Sequence, residues 1–301
     1  MTVRGWTRAA VQGLAAVGMV VAVLAGCSAR HAQGSTTVPA GPGRATADSS
    51  SPPSRPPASS TTISRPGRPT PQLLAARADV PVLTYHQVRD WRPTDSPTAR
   101  QLITPPRRFA AQLDALARAG YTTISGTQLL QHLLRGAPLP PRPLLLTFDD
   151  ASQGQYTNAL PILRRHRFVA TFFVMTVVLD KPHWLSRAQV QTLDRMGMTI
   201  GAHTWDHRPV PGYAGQDWQL QLVRPARELA RIVGHPVRLF AYPYGRWDRV
   251  AFPHLERAGY QAAFQLAGPI DPTGPQWTIR RIMVPPTWST ATLLRRIASS
   301  F

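Results

Sequence analysis

The sequence predicts an α/β fold, an incomplete β/α barrel of about seven mainly parallel strands, and three observations carry that expectation. Short apolar runs alternate with longer helical segments from Asp79 to Phe301, the pattern of a sheet wrapped by helices. About seven runs have strand character, which suits a barrel better than an open doubly wound sheet. No strand candidate is followed by the glycine fingerprint of a dinucleotide site.

The elements follow in chain order. Strand candidates are Val80 to Tyr85, Leu144 to Phe148, Ala170 to Met175, Thr199 to Ala202, Leu239 to Tyr242, Gln261 to Gln265 and Ile279 to Val284. Between the first two, Phe109, Leu113 and Leu116 recur at helical spacing, and Leu129, Leu130, Leu133 and Leu134 make a second apolar face. Ser186 and Ser289 are cap-type residues that open later helices, while Gly120, Gly136, Gly197, Gly234 and Gly259 end helical segments. Chemistry in such barrels sits at the carboxyl ends of the strands.

Upstream of Asp79 the chain changes character. Arg4 and Arg8 precede an apolar run that ends Leu24-Ala25-Gly26-Cys27, the charged, apolar and small-residue order of a secretory signal. Residues 1–27 are therefore expected to be an export signal, and Leu-Ala-Gly-Cys resembles a bacterial lipoprotein processing site with Cys27 as the lipidated residue. An uncleaved transmembrane helix is the alternative, near the lower length limit for a span. Residues 28–78 are rich in Pro, Ser and Thr and offer little to bury, so they read as a disordered linker. The folded domain is expected over residues 79–301.

Composition narrows the partners. Lys plus Arg is 34 against 15 Asp plus Glu, a formal charge of +19, and Lys181 is the only lysine. No dense basic run accompanies that excess, so it favours an anionic surface such as a cell envelope over a nucleic-acid site. The single cysteine excludes an internal disulfide framework and a Cys-based zinc site.

Three polar clusters fall where strands should end. Leu144-Leu145-Leu146-Thr147-Phe148 stops at Asp149-Asp150; Met198 to Ala202 runs into His203-Thr204-Trp205-Asp206-His207; and Phe240-Ala241-Tyr242 turns at Pro243-Tyr244-Gly245. Each alone has a plainer reading, respectively a polar strand terminus, a chance histidine pair, and core or loop packing. Together, one carboxylate and two imidazoles from separate strand ends make an oxygen and nitrogen donor set with open positions, which suits a catalytic divalent metal. Asp150, His203 and His207 are the expected ligands and zinc the expected ion. Asp149 is left to take a proton from water that the metal acidifies, with the oxyanion stabilised by the metal and a backbone donor.

Thr147-Phe148-Asp149-Asp150, His203-Thr204-Trp205-Asp206-His207 and Pro243-Tyr244-Gly245, in this order and at these separations, resemble the successive motifs of the polysaccharide deacetylases of carbohydrate esterase family 4. The resemblance covers residues 80 to 295. It implies a distorted β/α barrel that removes N-acetyl or O-acetyl groups from a glycan, with Asp149 as base, Asp150, His203 and His207 as metal ligands, and the backbone N–H of Tyr244 as oxyanion donor.

Two departures shape the rest. Ala241 stands where many members have an arginine that orients the base, so that cation is expected from the late strand, at Arg280 or Arg281; Arg281 is taken forward. Ala151 stands where a glycine commonly follows the two Asp. No histidine follows His254, so the usual late acid is missing, but Val82-Leu83-Thr84-Tyr85-His86 resembles the first strand of the permuted subgroup that includes the poly-β-1,6-N-acetylglucosamine deacetylases. There an early His is the acid, which implies that role for His86. Trp205, Tyr242 and Tyr244 are candidate substrate contacts, with Trp247 and Trp288 as core or groove residues; His132, His166 and His254 are expected at the surface.

The expected protein is a lipid-anchored monomer on the outer face of the cell membrane, acting on an acetylated polysaccharide of N-acetylglucosamine type and binding no nucleic acid. A glycan-binding lipoprotein of the same fold that has lost turnover is the rival, motivated by Ala241 and the absent late histidine.

Overall fold

A computed structural model describes residues 69–301. The predicted signal, Cys27 and all but the last residues of the predicted linker lie outside the described residues. Folded structure begins before the expected Asp79 boundary, because Pro71–Arg77 forms a helix. Thr70 caps it by accepting from the Leu73 N–H, Pro71 opens its first turn where the missing N–H is harmless, Leu74 is buried, and Arg77 donates to the Leu133 carbonyl at 3.0 Å.

Ten strands follow: β1 (Val82–Tyr85), β2 (Gln87–Val88), β3 (Ile103–Thr104), β4 (Thr122–Ile124), β5 (Pro143–Phe148), β6 (Thr171–Val174), β7 (Thr199–Ala202), β8 (Leu239–Ala241), β9 (Ala262–Phe264) and β10 (Ile282–Met283). All seven predicted strands are present, most of them shorter than their apolar runs. β2, β3 and β4 are additions, and two or three residues are too few to register a period. Seven strands run in the order β10-β1-β5-β6-β7-β8-β9, with β4 beside the first half of β5 and β2 paired with β3 in a separate ribbon. Every strand pairing is parallel. This is the incomplete, distorted β/α barrel: its ends meet where Ile279 bridges Phe264 and the Arg281 N–H donates to the Leu266 carbonyl.

The central strands are buried on both faces, so they read as unbroken apolar runs instead of alternating ones. Gly201 in β7 is required by close packing, since a Cβ there would lie 2.5 Å from the Phe173 ring. Helix ends follow the expected signals. Ser186 makes a capping box with Gln189, Ser289 caps the last helix (Thr290–Ser300), and Gly136 and Gly234 close their helices in the left-handed conformation.

Two helices open with π turns, Gln155–Ala159 and Gln219–Val223. Each is followed within two residues by a proline, Pro161 or Pro225, which has no N–H to give the preceding turn and crowds its carbonyl, so the ladder widens there. The first of these turns aims Gln155 back at the β1 and β5 strand ends: its Nε2 donates to the carbonyls of His86 and Asp149.

Candidate active site and metal centre

Parallel strands deliver the polar clusters to one end of the barrel. β5 and β7 stand on either side of β6, and the chain turns sharply where each ends. Asp150, Ala151, Thr204, His207 and Tyr244 all adopt left-handed backbone conformations, with φ of 75°, 69°, 67°, 69° and 58°. Such conformations cost roughly 1–3 kcal/mol each for non-glycine residues and gather at functional sites. Ala151 holds its conformation while fully buried, so the position suits glycine but accepts a methyl group.

The turns bring Asp150, His203 and His207 together, with one donor atom from each lying within 4.8 Å of the others. Asp150 Oδ1 is 3.5 Å from His203 Nε2 and 3.4 Å from His207 Nε2, yet it is a buried oxygen without a hydrogen-bond partner. His203 Nδ1 lies 2.7 Å from the Ala241 carbonyl; donation there fixes the tautomer and leaves Nε2 a lone pair facing the carboxylate. An orphaned buried carboxylate oxygen between two such nitrogens fits a divalent cation.

Asp149 is also buried, with Oδ2 4.0 Å from His203 Nε2, but its hydrogen bonds go elsewhere. Arg281 grips it with two parallel bonds, Nη1 to Oδ1 at 2.7 Å and Nη2 to Oδ2 at 2.8 Å. The guanidinium is itself held: Nε donates to the Gln265 carbonyl at 3.0 Å, Nη1 reaches Thr147 Oγ1, and the group lies 5.3 Å over the Phe173 ring. Arg280 points elsewhere, over the Phe301 ring, so of the two adjacent arginines Arg281 meets Asp149.

Burial acts to raise the Asp149 pKa, but Arg281 and His203 outweigh it and the carboxyl is held below its ordinary value. Asp150 is lowered too: burial opposes, and the neighbouring histidines overcome it. Burial works against protonating His203, yet Asp149 and Asp150 raise its pKa above the ordinary imidazole value. His207, by burial first and then by repulsion from His203, is pushed down to about 4. Metal entry should therefore displace one proton, from His203, while His207 is already neutral. Metal affinity, measured by competition with a coloured chelator, is expected to fall about tenfold per pH unit as pH drops below the raised His203 pKa and stays above that of His207. A two-proton slope would contradict this.

The remaining predicted residues divide. His86, Tyr242 and Tyr244 line the same cavity of about 290 Å³ as the carboxylates and histidines, together with Leu102, Leu266 and Met283. His86 follows β1, and its carbonyl accepts from Gln155 Nε2 and Ser152 Oγ; its Nδ1 is buried without a partner. Tyr242 is fully buried with an unpartnered hydroxyl, and burial raises its pKa well above the ordinary value. Tyr244 is exposed, packs its ring edge-on to His207 at 4.5 Å, and its N–H meets no acceptor among the described residues. Trp205 does not line this cavity; its ring lies under the Arg224 guanidinium. Trp247 donates to Gln265, Trp288 stacks with Arg296, and His132, His166 and His254 are half-buried against neighbours, not free at the surface.

Leu102, Leu266 and Met283 went unread in the sequence. Leu266 lies two residues beyond the end of β9 and Met283 in β10, positions that barrel topology favours; Leu102 sits in a loop and gave no signal.

Fold and site together define a β/α barrel with a candidate metal centre at the carboxyl ends of its strands. Residues 136–263 match the polysaccharide deacetylase family, so a polysaccharide deacetylase domain lies over that stretch. The Bacillus subtilis (strain 168) protein YxkH is 25% identical over 184 residues, 61% of this chain and 63% of that protein. The poly-β-1,6-N-acetyl-D-glucosamine N-deacetylase of Escherichia coli (strain K12) is 22% identical over 245 residues, 67% of this chain but 36% of its own length. The chain thus spans less than two thirds of either relative. Among solved structures, Streptococcus pyogenes deacetylase PplD in complex with acetate superposes with a TM-score of 0.67 at 24% identity, over 72% of this chain and 97% of that one, a likeness of fold.

Proposed function

We propose that this protein hydrolyses acetyl groups from an N-acetylated envelope or extracellular polysaccharide, using a divalent metal, with zinc the ion that the donor set suits best. The observation that carries the reading is the orphaned Asp150 oxygen between two imidazole nitrogens, beside an Asp149 whose two oxygens both accept from one arginine. Asp150, His203 and His207 would hold the cation. When bound, it supplies Lewis acidity, polarising an amide carbonyl and acidifying water.

The chain's own groups do the rest. Asp149, ionised and locked by Arg281, accepts a proton from the attacking water. The Tyr244 N–H donates to the carbonyl oxygen as negative charge gathers there. The Tyr244 ring contacts the sugar, backed by the buried Tyr242 in the cavity wall, while Leu102, Leu266 and Met283 give the acetyl methyl a dry wall. The His86 imidazole protonates the leaving nitrogen as the carbon–nitrogen bond breaks, so water's oxygen ends in acetate and the sugar keeps a free amine. Arg281 and His86 occupy the two roles whose apparent vacancy motivated a non-catalytic reading. The E. coli relative is named for poly-β-1,6-N-acetylglucosamine, which favours a glucosamine polymer as substrate. Export with lipid anchoring at Cys27 is the localisation that the amino-terminal pattern supports, and among the described residues no helix is long and apolar enough to cross a membrane.

Chelation is the direct test. Stripping the metal should reduce acetate release from N-acetylglucosamine oligomers to background, and adding back Zn²⁺ should restore it. Undiminished release from protein verified to be metal-free would overturn the proposal.

A further inference from the structure

A second cavity, of about 370 Å³, opens behind the wall of the metal pocket, in the size range of small-molecule sites. The two share that wall. Ser152 and Gln87 line the second cavity; Ser152 Oγ donates to the carbonyl of His86, and the Gln87 N–H donates to that of Leu102, both residues of the metal pocket. Its floor is rigid. Gly154 approaches β2 so closely that a Cβ would sit 2.3 Å from the Val88 carbonyl, and Asn158 Nδ2 donates to that same oxygen at 2.8 Å.

The lining has the chemistry of a sugar site with a charge preference. Trp184 is half-buried there, offering an apolar ring against which the C–H face of a pyranose packs, beside the amides and hydroxyls of Gln153, Thr157 and Asn158. No carboxylate lines the cavity. Arg89 is saturated, donating to Gln87 and in bidentate fashion to Asp95. Arg92 and His183, in contrast, are exposed, and their side chains make no hydrogen bond among the described residues, although Asp95, which accepts from the Arg92 backbone N–H, feels the Arg92 charge. The rim therefore presents a guanidinium and an imidazole free of side-chain hydrogen bonds, with no carboxylate in the lining.

We propose that this cavity is a second sugar subsite and that it takes an acidic unit, a sugar bearing a carboxylate or a phosphate, next to the acetylated sugar in the metal pocket. The proposal rests on the deacetylase reading and narrows its substrate to an anionic glycan. Arg92 supplies a charge-assisted contact to the acidic group, His183 adds a ring N–H donor, and Trp184 carries the ring.

The test uses binding, so that it does not depend on turnover. The metal-loaded full chain, Arg92→Ala, and Arg92→Ala with His183→Ala are titrated with three tetrasaccharides: neutral N-acetylchitotetraose, its 6-phosphorylated form, and the alternating N-acetylglucosamine–N-acetylmuramic acid tetramer. The wild-type protein is expected to bind at least one acidic tetramer about tenfold more tightly than the neutral one, one charge-assisted bond's worth. The variants should lose that preference and keep their affinity for the neutral sugar. Whichever acidic probe is preferred identifies the group as carboxylate or phosphate. Equal affinity for all three, a preference that survives both substitutions, or no binding at millimolar sugar would each overturn the proposal. Acetate release is followed in parallel: an intact acidic preference without release from any tetramer would sink the deacetylase reading and leave the acidic subsite standing.

Discussion

Asp149→Asn is expected to lower acetate release by roughly 10²- to 10⁴-fold, the range for losing a general base, while bound metal stays at the wild-type level. The separation follows from geometry: both Asp149 oxygens face Arg281, and the cation's donors come from other residues. Asparagine is the informative choice because it keeps one acceptor for the guanidinium. Alanine would leave a buried arginine unpaired, at a cost of about 3–5 kcal/mol, and confuse lost chemistry with lost structure. Metal content by atomic emission, with acetate release on the same preparation, decides the matter; an Asn variant of full activity would remove the base assignment.

His203→Ala should abolish both metal binding and acetate release. Two of the three donors would remain, and the Ala241 carbonyl would lose its side-chain partner, so melting is also expected to shift, by about 1–3 kcal/mol of stability. A variant that binds metal with wild-type affinity would show that the cation sits elsewhere. His207→Ala is the natural companion: its imidazole is half-exposed and holds no such carbonyl, so it should lose metal with a smaller shift in melting.

Most of the barrel was legible because its central strands are buried on both faces. Leu144 to Phe148 is apolar but for Thr147 for that reason, and Thr147 finds partners inside, bonding the Leu83 carbonyl and Thr84. The helix from Pro71 was missed although Thr70-Pro71 is a fair start signal; it continues the linker's composition without a break, and only packing of Leu74 distinguishes it.

The three motifs of the candidate site were legible as neighbours of strand ends. What could not be read was which way adjacent residues turn. Arg280 and Arg281 have the same side chain, and alternation along an extended segment sends one in and one out without saying which. Trp205 stands between two metal-ligand candidates in sequence, yet the left-handed turn at Thr204 carries its ring away from the cavity. The family match over residues 136–263 includes Asp149 through Tyr244 but neither His86 nor Arg281, so the two groups proposed to complete the constellation enter from outside the matched stretch.

The lone bridge between Phe264 and Ile279 gives this arrangement a weak hinge line. Arg281 lies just past it, tethered to Gln265 on the opposite bank, so a fluctuation that parts the seam removes one restraint on the guanidinium while β10, β1 and β5, the strands beside it and Asp149, stay zipped. Local opening of that kind needs far less free energy than melting the whole barrel, so warming would loosen the guanidinium's footing before it unravels the fold.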